Sequence, residues 1–553
     1  MKYSFESIVH YNQDIGEWQW QLPSYFNICE ACVDQHAKTD KADQAALIVE
    51  DETLGTSQVT YDQLAQKTSQ FANLLQSLHI ESDNRILIRL PNSLEYPVAF
   101  FGAIKYSAIA VPTSALLAAS EVAYLANDSQ ASVLVTHKSM WQELEGELKN
   151  TAIKTVFLTG AGELPQSDEF QLVDFDDALN RTSAEFTPVT TAVNDPAYLV
   201  YTSGTTGYPK GVLHAQRALL GRLPASRYWF DFQEGVTERI MHSGKFNWTY
   251  VLGSALMDPL LHGHTVIAYE GHNDAHTWPK LIQKHQCSIF IGVPTIYRQI
   301  IQKTEYSGKD LPSLKHCMSA GEHLSDEMQS LWEERFNAPI YEAIGMSEIS
   351  YYISQHKQAK VVPGAAGFVQ PGHQVALLDV EKDELKPVPN GEEGMICIRA
   401  DDPGLFLSYW NLPEETVKAV RDGWFFTGDY AKRDDQDYVW FLGRKDDIIN
   451  TFGFRVSPHE IERVIKAHPD VADCVALGEE VGKDKTLVVV CVIPEQGKQV
   501  TEQQMLDYGQ EQLAKYKAPK KVYLVGDYPR TKNGKVLRKK LLQNLDQYLL
   551  SNH

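Results

Sequence analysis

The chain has 553 residues, a formal net charge of −21, 43% apolar residues and 10% aromatic residues. That length exceeds one ordinary core and implies two or more domains, and the supply of core residues excludes a disordered chain. The acidic balance repels nucleic acid and anionic membrane surfaces at long range, so neither is expected as a partner, while a locally basic cleft still suits a phosphorylated small molecule.

In chain order, the opening "MKYSFESIVHYNQ" has no apolar run of signal-peptide length. "NICEACVDQH" contains a C-x-x-C, Cys29 and Cys32, with no second pair to complete a zinc site. Two thiols on one helix are expected there, and the scattered cysteines suit a reducing, cytoplasmic setting. "RILIRLPN" and "SVLVTH" read as short buried strands, and "SEVAYLANDSQ" as a helix. "PVAFFGAIKYSAIAVP" is interrupted by Lys105 and falls short of the roughly 20 apolar residues of a spanning helix, so no membrane span is expected. Ala197 to Tyr201 reads as a strand running into the glycine-rich "TSGTTGYPK", with "QRALLGRL" opening a helix beyond it. That order would aim backbone N–H groups and a helix amino end at an anion.

Strands and helices alternate throughout, which points to layered α/β sheets in a large N-terminal domain, residues 1–443. The texture then changes. The polar "GRKDDIINTFGFR" precedes a helix ("SPHEIERVIKAH"), strands ("ADCVALG", "TLVVVCVI") and a further helix ("TEQQMLDYGQEQLAKY"). We expect a connection at 444–447 and a small C-terminal α+β domain at 448–553.

The glycine-rich run fails the Walker template, because Tyr208 and Pro209 separate Gly207 from Lys210. It nevertheless has the parts of a polyphosphate cradle. Gly204 and Gly207 permit close backbone approach, Ser203, Thr205 and Thr206 offer hydroxyls, and Lys210 supplies charge.

"YTSGTTGYPKG" is followed in order by "SAGE", "YEAIGMSE", "FFTGDYA", "FLGRKDDIINTFGFRVSPHEIE" and "PRTKNGKVLRKKL". Together these resemble the adenylate-forming superfamily of acyl- and aryl-CoA synthetases, most of all its medium-chain acyl-CoA and benzoate-type CoA ligases. The resemblance implies a reaction in two steps, with ATP, Mg²⁺ and coenzyme A. A carboxylate attacks the α-phosphate to give acyl-AMP and pyrophosphate, and a thiol then displaces AMP. An anion attacking an anion needs positioning and charge neutralisation above all.

The resemblance also implies residue roles. Thr202, Ser203, Gly204, Thr205, Thr206, Gly207 and Lys210 would wrap the terminal phosphates, with Glu348 holding Mg²⁺ beside Ser347, where the family more often has threonine. Gly321, Glu322, Tyr341 and Glu342 would pack around adenine, Asp429 would accept from the ribose hydroxyls, and Arg444 would contact the ribose. Lys535 would be the catalytic lysine of the first step, although Asn533 stands where serine or threonine is usual. Asp446 occupies the hinge position about which a mobile C-terminal domain would swing, after which Gly453 would leave room for the pantetheine arm and Arg455 would meet phosphate.

For the acid, Phe246, Asn247 and Trp248 would flank the acyl site, with Ile344, Gly345 and Met346 at its floor and Lys245 at its rim. Apolar and aromatic walls suit a short- to medium-chain or aryl acid, or a betaine through cation–π contact. An amino-acid adenylating enzyme would place an aspartate in "GKFNWTY", which has none. A catalytically inactive nucleotide-binding homologue would be expected to have lost Glu348, Asp429 or Lys535, all of which are present. A monomer or homodimer is expected.

Overall fold

The computed structural model describes residues 3–14, 16–160, 162–203, 209–321, 324–380, 385–444, 447, 449–451, 454–482, 485–513, 517–530 and 536–550. Two large sheets, of eight and nine strands, dominate the N-terminal part. In the first, Pro196–Ser203, Ile109–Pro112, Arg85–Arg89, Val133–His137, Thr155–Thr159 and Gln171–Asp174 run parallel. The second has a parallel core of Ile340–Met346, His316–Ala320, Ile289–Ile291, Arg239–His242, Thr265–Glu270 and Ala45–Asp51. Buried strands such as Ile86, Leu87 and Ile88 are apolar on both sides because helices cover both faces of a parallel sheet. A smaller sheet of antiparallel strands, including Glu393–Arg399, Trp424–Arg433 and Val439–Arg444, follows.

The C-terminal part has its own sheet, Val471–Gly482, Lys485–Pro494 and Lys521–Leu524, with helices Pro458–Lys466 and Glu502–Gln512. Two apolar clusters there, one around Ile461, Val490 and Met505 and the other around Val489, Val525 and Leu541, draw only on residues 449–548. The helices and strands expected from "SPHEIERVIKAH", "ADCVALG", "TLVVVCVI" and "TEQQMLDYGQEQLAKY" all form, the first strand running on to Gly482.

One expectation needs correction. The glycine-rich loop does not lead from a strand into a helix. Strand Pro196–Ser203 returns as the antiparallel strand Pro209–Ala215, with Thr202 opposite Lys210 and Ser203 opposite Pro209. The chain then passes through two short turns, Gln216–Ala218 and Leu220–Arg222, before helix Leu223–Tyr228. The reason is that Val212, Leu213 and Ala215 are all buried in the sheet, a continuous apolar run that a strand satisfies.

The lysine in "GAIKYSAIAVP" also finds its reason. Lys105 closes helix Glu95–Lys105 and is fully buried, with its ammonium 2.7 Å from Asp34 Oδ1 and 2.9 Å from Ser69 Oγ. Among the described residues no helix is long and apolar enough to cross a membrane. Cys29 and Cys32 are buried in the helical stretch that contains Glu30–Asp34, and all seven cysteines are free and buried.

Arg222 and Asp258 form a second buried pair, bonded through Nε at 2.6 Å and Nη2 at 2.5 Å. Arg222 also donates to Ser350 Oγ and stacks on Tyr351 at 4.9 Å. Removing one partner leaves a buried, uncompensated charge. Asp258→Ala is expected to cost about 3–5 kcal/mol in urea unfolding, and the double change Arg222→Met, Asp258→Leu distinctly less.

Candidate active site

Several of the predicted residues follow the carboxyl ends of parallel strands. In open α/β sheets the carboxyl ends of the strands form the crevice in which ligands bind. Gly321 follows His316–Ala320, Lys245 to Trp248 follow Arg239–His242, and Ser347 and Glu348 follow Ile340–Met346. From the other sheet, Pro196–Ser203 delivers the glycine-rich loop.

Ser347 and Glu348 lie in the tight turn of a hairpin, between Ile340–Met346 and the antiparallel Ser350–Ser354, with Met346 opposite Ser350. Gly345 has no room for a side chain, since a Cβ there would lie 2.4 Å from the Ser350 carbonyl oxygen. The turn is held from the first sheet. The His214 ring Nε2 lies 2.8 Å from the Ser347 carbonyl oxygen, and a carbonyl only accepts, so Nε2 carries the proton. Burial, with Arg222 and Arg217 nearby, lowers the His214 pKa to about 3, so the ring is neutral. Glu348 itself is buried, accepts from the Tyr409 hydroxyl at 2.8 Å through Oε1, and accepts from Phe406 N–H at 2.7 Å through its carbonyl.

Asp429 and Arg444 stand opposite each other on paired strands, with Arg444 Nε 3.5 Å from Asp429 Oδ1. Asp429 is buried and Arg444 largely exposed. The hydroxyl of buried Tyr352 feels Asp429, Arg444 and Glu348 together. Lys210 places its ammonium 3.5 Å from the centre of the Tyr409 ring. Phosphate-loop, metal-holding and ribose residues expected from sequence are thus brought into one neighbourhood.

Beside it, Tyr341 and Glu342 lie on Ile340–Met346, with Tyr341 stacked on His316 at 4.7 Å. Glu342 Oε1 accepts from the Leu324 N–H at 2.8 Å, yet burial raises its pKa to about 8. Gly321 adopts φ +91° and faces Trp248, whose ring atoms are 3.8 Å from where its Cβ would stand. Trp248 packs edge-on against Tyr250 at 5.2 Å. Asn247 is half-buried beside it, as are Ile344 and Met346, whereas Gly345 is exposed. Phe246 turns into the core against Tyr96, with its backbone N–H donated to Asn92 Oδ1 at 3.0 Å. Lys245 pairs with Glu270 at 2.7 Å.

Gly204, Thr205, Thr206, Gly207, Glu322, Asp446, Gly453 and Lys535 lie outside the described residues, as do the side chains of Ser203 and Arg455. Sequence reasoning missed His214, Tyr352 and Tyr409. The run "LFLSYWN" offered no signal for Tyr409, because its strand partner lies about 200 residues earlier.

Among the described residues, no group of three or more His, Cys, Asp or Glu is placed to hold a metal ion. A lone Glu348 fits magnesium, which is commonly held by one or two carboxylates, with substrate phosphates and water completing its shell.

A model of the AMP-binding enzyme family matches residues 33–410, and one of the AMP-binding enzyme C-terminal domain matches residues 460–535. The chain is 30% identical to a 3-hydroxybenzoate–CoA ligase of Aromatoleum sp. (strain CIB), over 91% of this chain and 94% of that one. The structure is similar to that of the anthranilate CoA ligase AuaEII in complex with anthranoyl-AMP, with a TM-score of 0.83, 28% identity, and 95% and 98% of the two chains covered. ATP-bound MatB from Rhodopseudomonas palustris gives a TM-score of 0.82 at 26% identity over 93% and 99%.

Glu342 supplies a pH test. Its folded pKa is raised, so its contribution to stability is fully present below the unfolded value of 4.5 and is lost as pH rises through about 8. Glu342→Gln is expected to flatten the pH dependence of thermal unfolding across that window. At pH values above it, the variant should be the more stable protein by roughly 1–3 kcal/mol.

Proposed function

Since the chain belongs to the AMP-binding enzyme family, we propose that it is an ATP-dependent carboxylic acid–CoA ligase acting through an acyl-adenylate. The observation that carries this reading is the convergence of Lys210, Glu348, Asp429 and Arg444 around Tyr409 and Tyr352, drawn from three different sheets. In the first step the acid's carboxylate oxygen bonds to the α-phosphorus while the bond to pyrophosphate breaks. In the second, the CoA sulfur bonds to the acyl carbon, the bond to AMP breaks, and the thiol proton leaves to solvent.

Residues 202–210 wrap the terminal phosphates, with Thr202 and Lys210 facing each other across the hairpin. Glu348, set beside Ser347, holds magnesium, which when bound neutralises phosphate charge. Asp429 accepts from the ribose hydroxyls and Arg444 contacts the same sugar. Gly321, Glu322, Tyr341 and Glu342 surround adenine. Lys535 bridges the attacking carboxylate and the α-phosphate, where an ammonium stabilises charge that shifts in the transition state. The C-terminal domain, 448–553, turns about Asp446 within 444–447, and Gly453 and Arg455 then serve the thiol step.

The substrate class that the site favours is a small aryl acid. The half-buried Trp248 edge against Tyr250, with Ile344 and Met346 also half-buried, supports it, as does similarity to hydroxybenzoate and anthranilate ligases. Asn247 and Phe246 flank the same acyl site, Phe246 being buried with its ring against Tyr96. A cytoplasmic monomer or homodimer suits this chemistry.

Pyrophosphate release across short, medium, branched, aryl and betaine acids tests the reading. One aryl acid is expected to stand out, and CoA to raise turnover. Lys535→Ala should slow release at least about a hundredfold while still forming thioester from supplied acyl-adenylate. ATP binding without release for any acid would instead favour the inactive homologue.

A further inference from the structure

We propose that Tyr409 is a positioning residue that sets Lys210 and Glu348 as one unit, coupling the phosphate loop to the metal-holding carboxylate. The inference rests on the roles given above to those two residues and goes beyond them in naming what holds them together.

Tyr409 lies in the two-residue strand Ser408–Tyr409, antiparallel to Pro209–Ala215, with Val212 opposite Tyr409. The approach is close. Leu407 N–H donates to the Leu213 carbonyl at 2.7 Å and Trp410 N–H to the Gly211 carbonyl at 2.9 Å. A Cβ on Gly211 would lie 2.9 Å from Trp410 Cβ, so only glycine lets the strands meet. Tyr409's own N–H donates to Thr416 Oγ1 at 3.0 Å, so the backbone is fixed on both sides.

From that fixed backbone the phenol makes two charged contacts. Its hydroxyl donates to Glu348 Oε1 at 2.8 Å, in a buried setting where a hydrogen bond to a carboxylate is strong. The face of its ring sits 3.5 Å from the Lys210 ammonium, a cation–π contact strengthened by partial desolvation. A carboxylate that accepts one hydrogen bond at Oε1 keeps Oε2 and further lone pairs for a cation. Tyr409 therefore orients Glu348 without using up its capacity, while holding the lysine that meets the phosphates of the same nucleotide.

Two variants separate the contacts. Tyr409→Phe keeps the ring under Lys210 and loses the hydroxyl. The magnesium concentration for half-maximal pyrophosphate release is expected to rise about tenfold. Thioester formation from supplied acyl-adenylate should stay at its wild-type rate, and the thermal midpoint should fall only slightly, by the loss of one buried hydrogen bond. Tyr409→Leu removes the ring as well and is expected to raise KM for ATP at saturating magnesium, again with the second half-reaction intact. Combining Tyr409→Phe with Glu348→Gln should add little to the magnesium shift of Glu348→Gln alone, because the two groups act as a pair.

A wild-type magnesium titration in Tyr409→Phe, with that of Glu348→Gln strongly shifted, would overturn the inference and leave the role of Glu348 standing. Equal slowing of both half-reactions with a strongly lowered thermal midpoint would also overturn it, reducing Tyr409 to scaffold. An unchanged titration in Glu348→Gln would overturn the role of Glu348, and the inference with it.

Discussion

The charged groups of the site belong to separate sheets, and the hydrogen bond from His214 to the Ser347 carbonyl, 2.8 Å long, ties the two largest together. His214 is on the strand that leaves the glycine-rich loop, and Ser347 is in the turn that presents Glu348. A neutral ring is needed here: a buried imidazolium would place a further positive charge near Arg222 and Arg217. The same seam carries Tyr409 on Glu348 and Lys210, and behind it Arg222 reaches from Asp258 to Ser350. Without these bonds the carboxylate and the lysine would be set by two sheets that share no strand.

The energetic logic of the seam is satisfaction rather than attraction. Buried polar groups cost little when every partner is present and a great deal when one is missing. Arg222 and Asp258 compensate each other, and Lys105 meets Asp34, Ser69 and a backbone carbonyl. Close packing enforces the same geometry through glycine. Gly211 and Gly345 sit where a Cβ would strike Trp410 and the Ser350 carbonyl. These glycines serve backbone approach, whereas Gly321 serves a left-handed turn at φ +91° beside Trp248.

Much of this was legible in the sequence, for local reasons. The alternation of strands and helices announced layered α/β sheets, and the expected strands "RILIRLPN" and "SVLVTH" and the helix in "SEVAYLANDSQ" all form. Lys210, Glu348, Asp429 and Arg444 were each marked by neighbours a few residues away, and the fold brings them together. Non-local features escaped. Reading "QRALLGRL" as the start of a helix overlooked the strand Pro209–Ala215, whose apolar residues are buried by pairing with Ser408–Tyr409. Tyr409, His214 and the Arg222–Asp258 pair carry no local signature, because their partners are set by sheet order. Phe246, expected to flank the acyl site, is buried with its ring against Tyr96, a packing partner that nothing in "GKFNW" announces.

If one seam assembles the proposed nucleotide site, Glu348 faces the phosphates and Asp429 the ribose. A crystal structure with a non-hydrolysable adenylate analogue, pyrophosphate and Mn²⁺ in place of magnesium, read by the anomalous signal of manganese, tests it most directly. Manganese is expected on the Glu348 carboxylate with Tyr409 still on Oε1, and both ribose hydroxyls within hydrogen-bond reach of Asp429. Manganese held away from Glu348, or a ribose turned from Asp429, would contradict it.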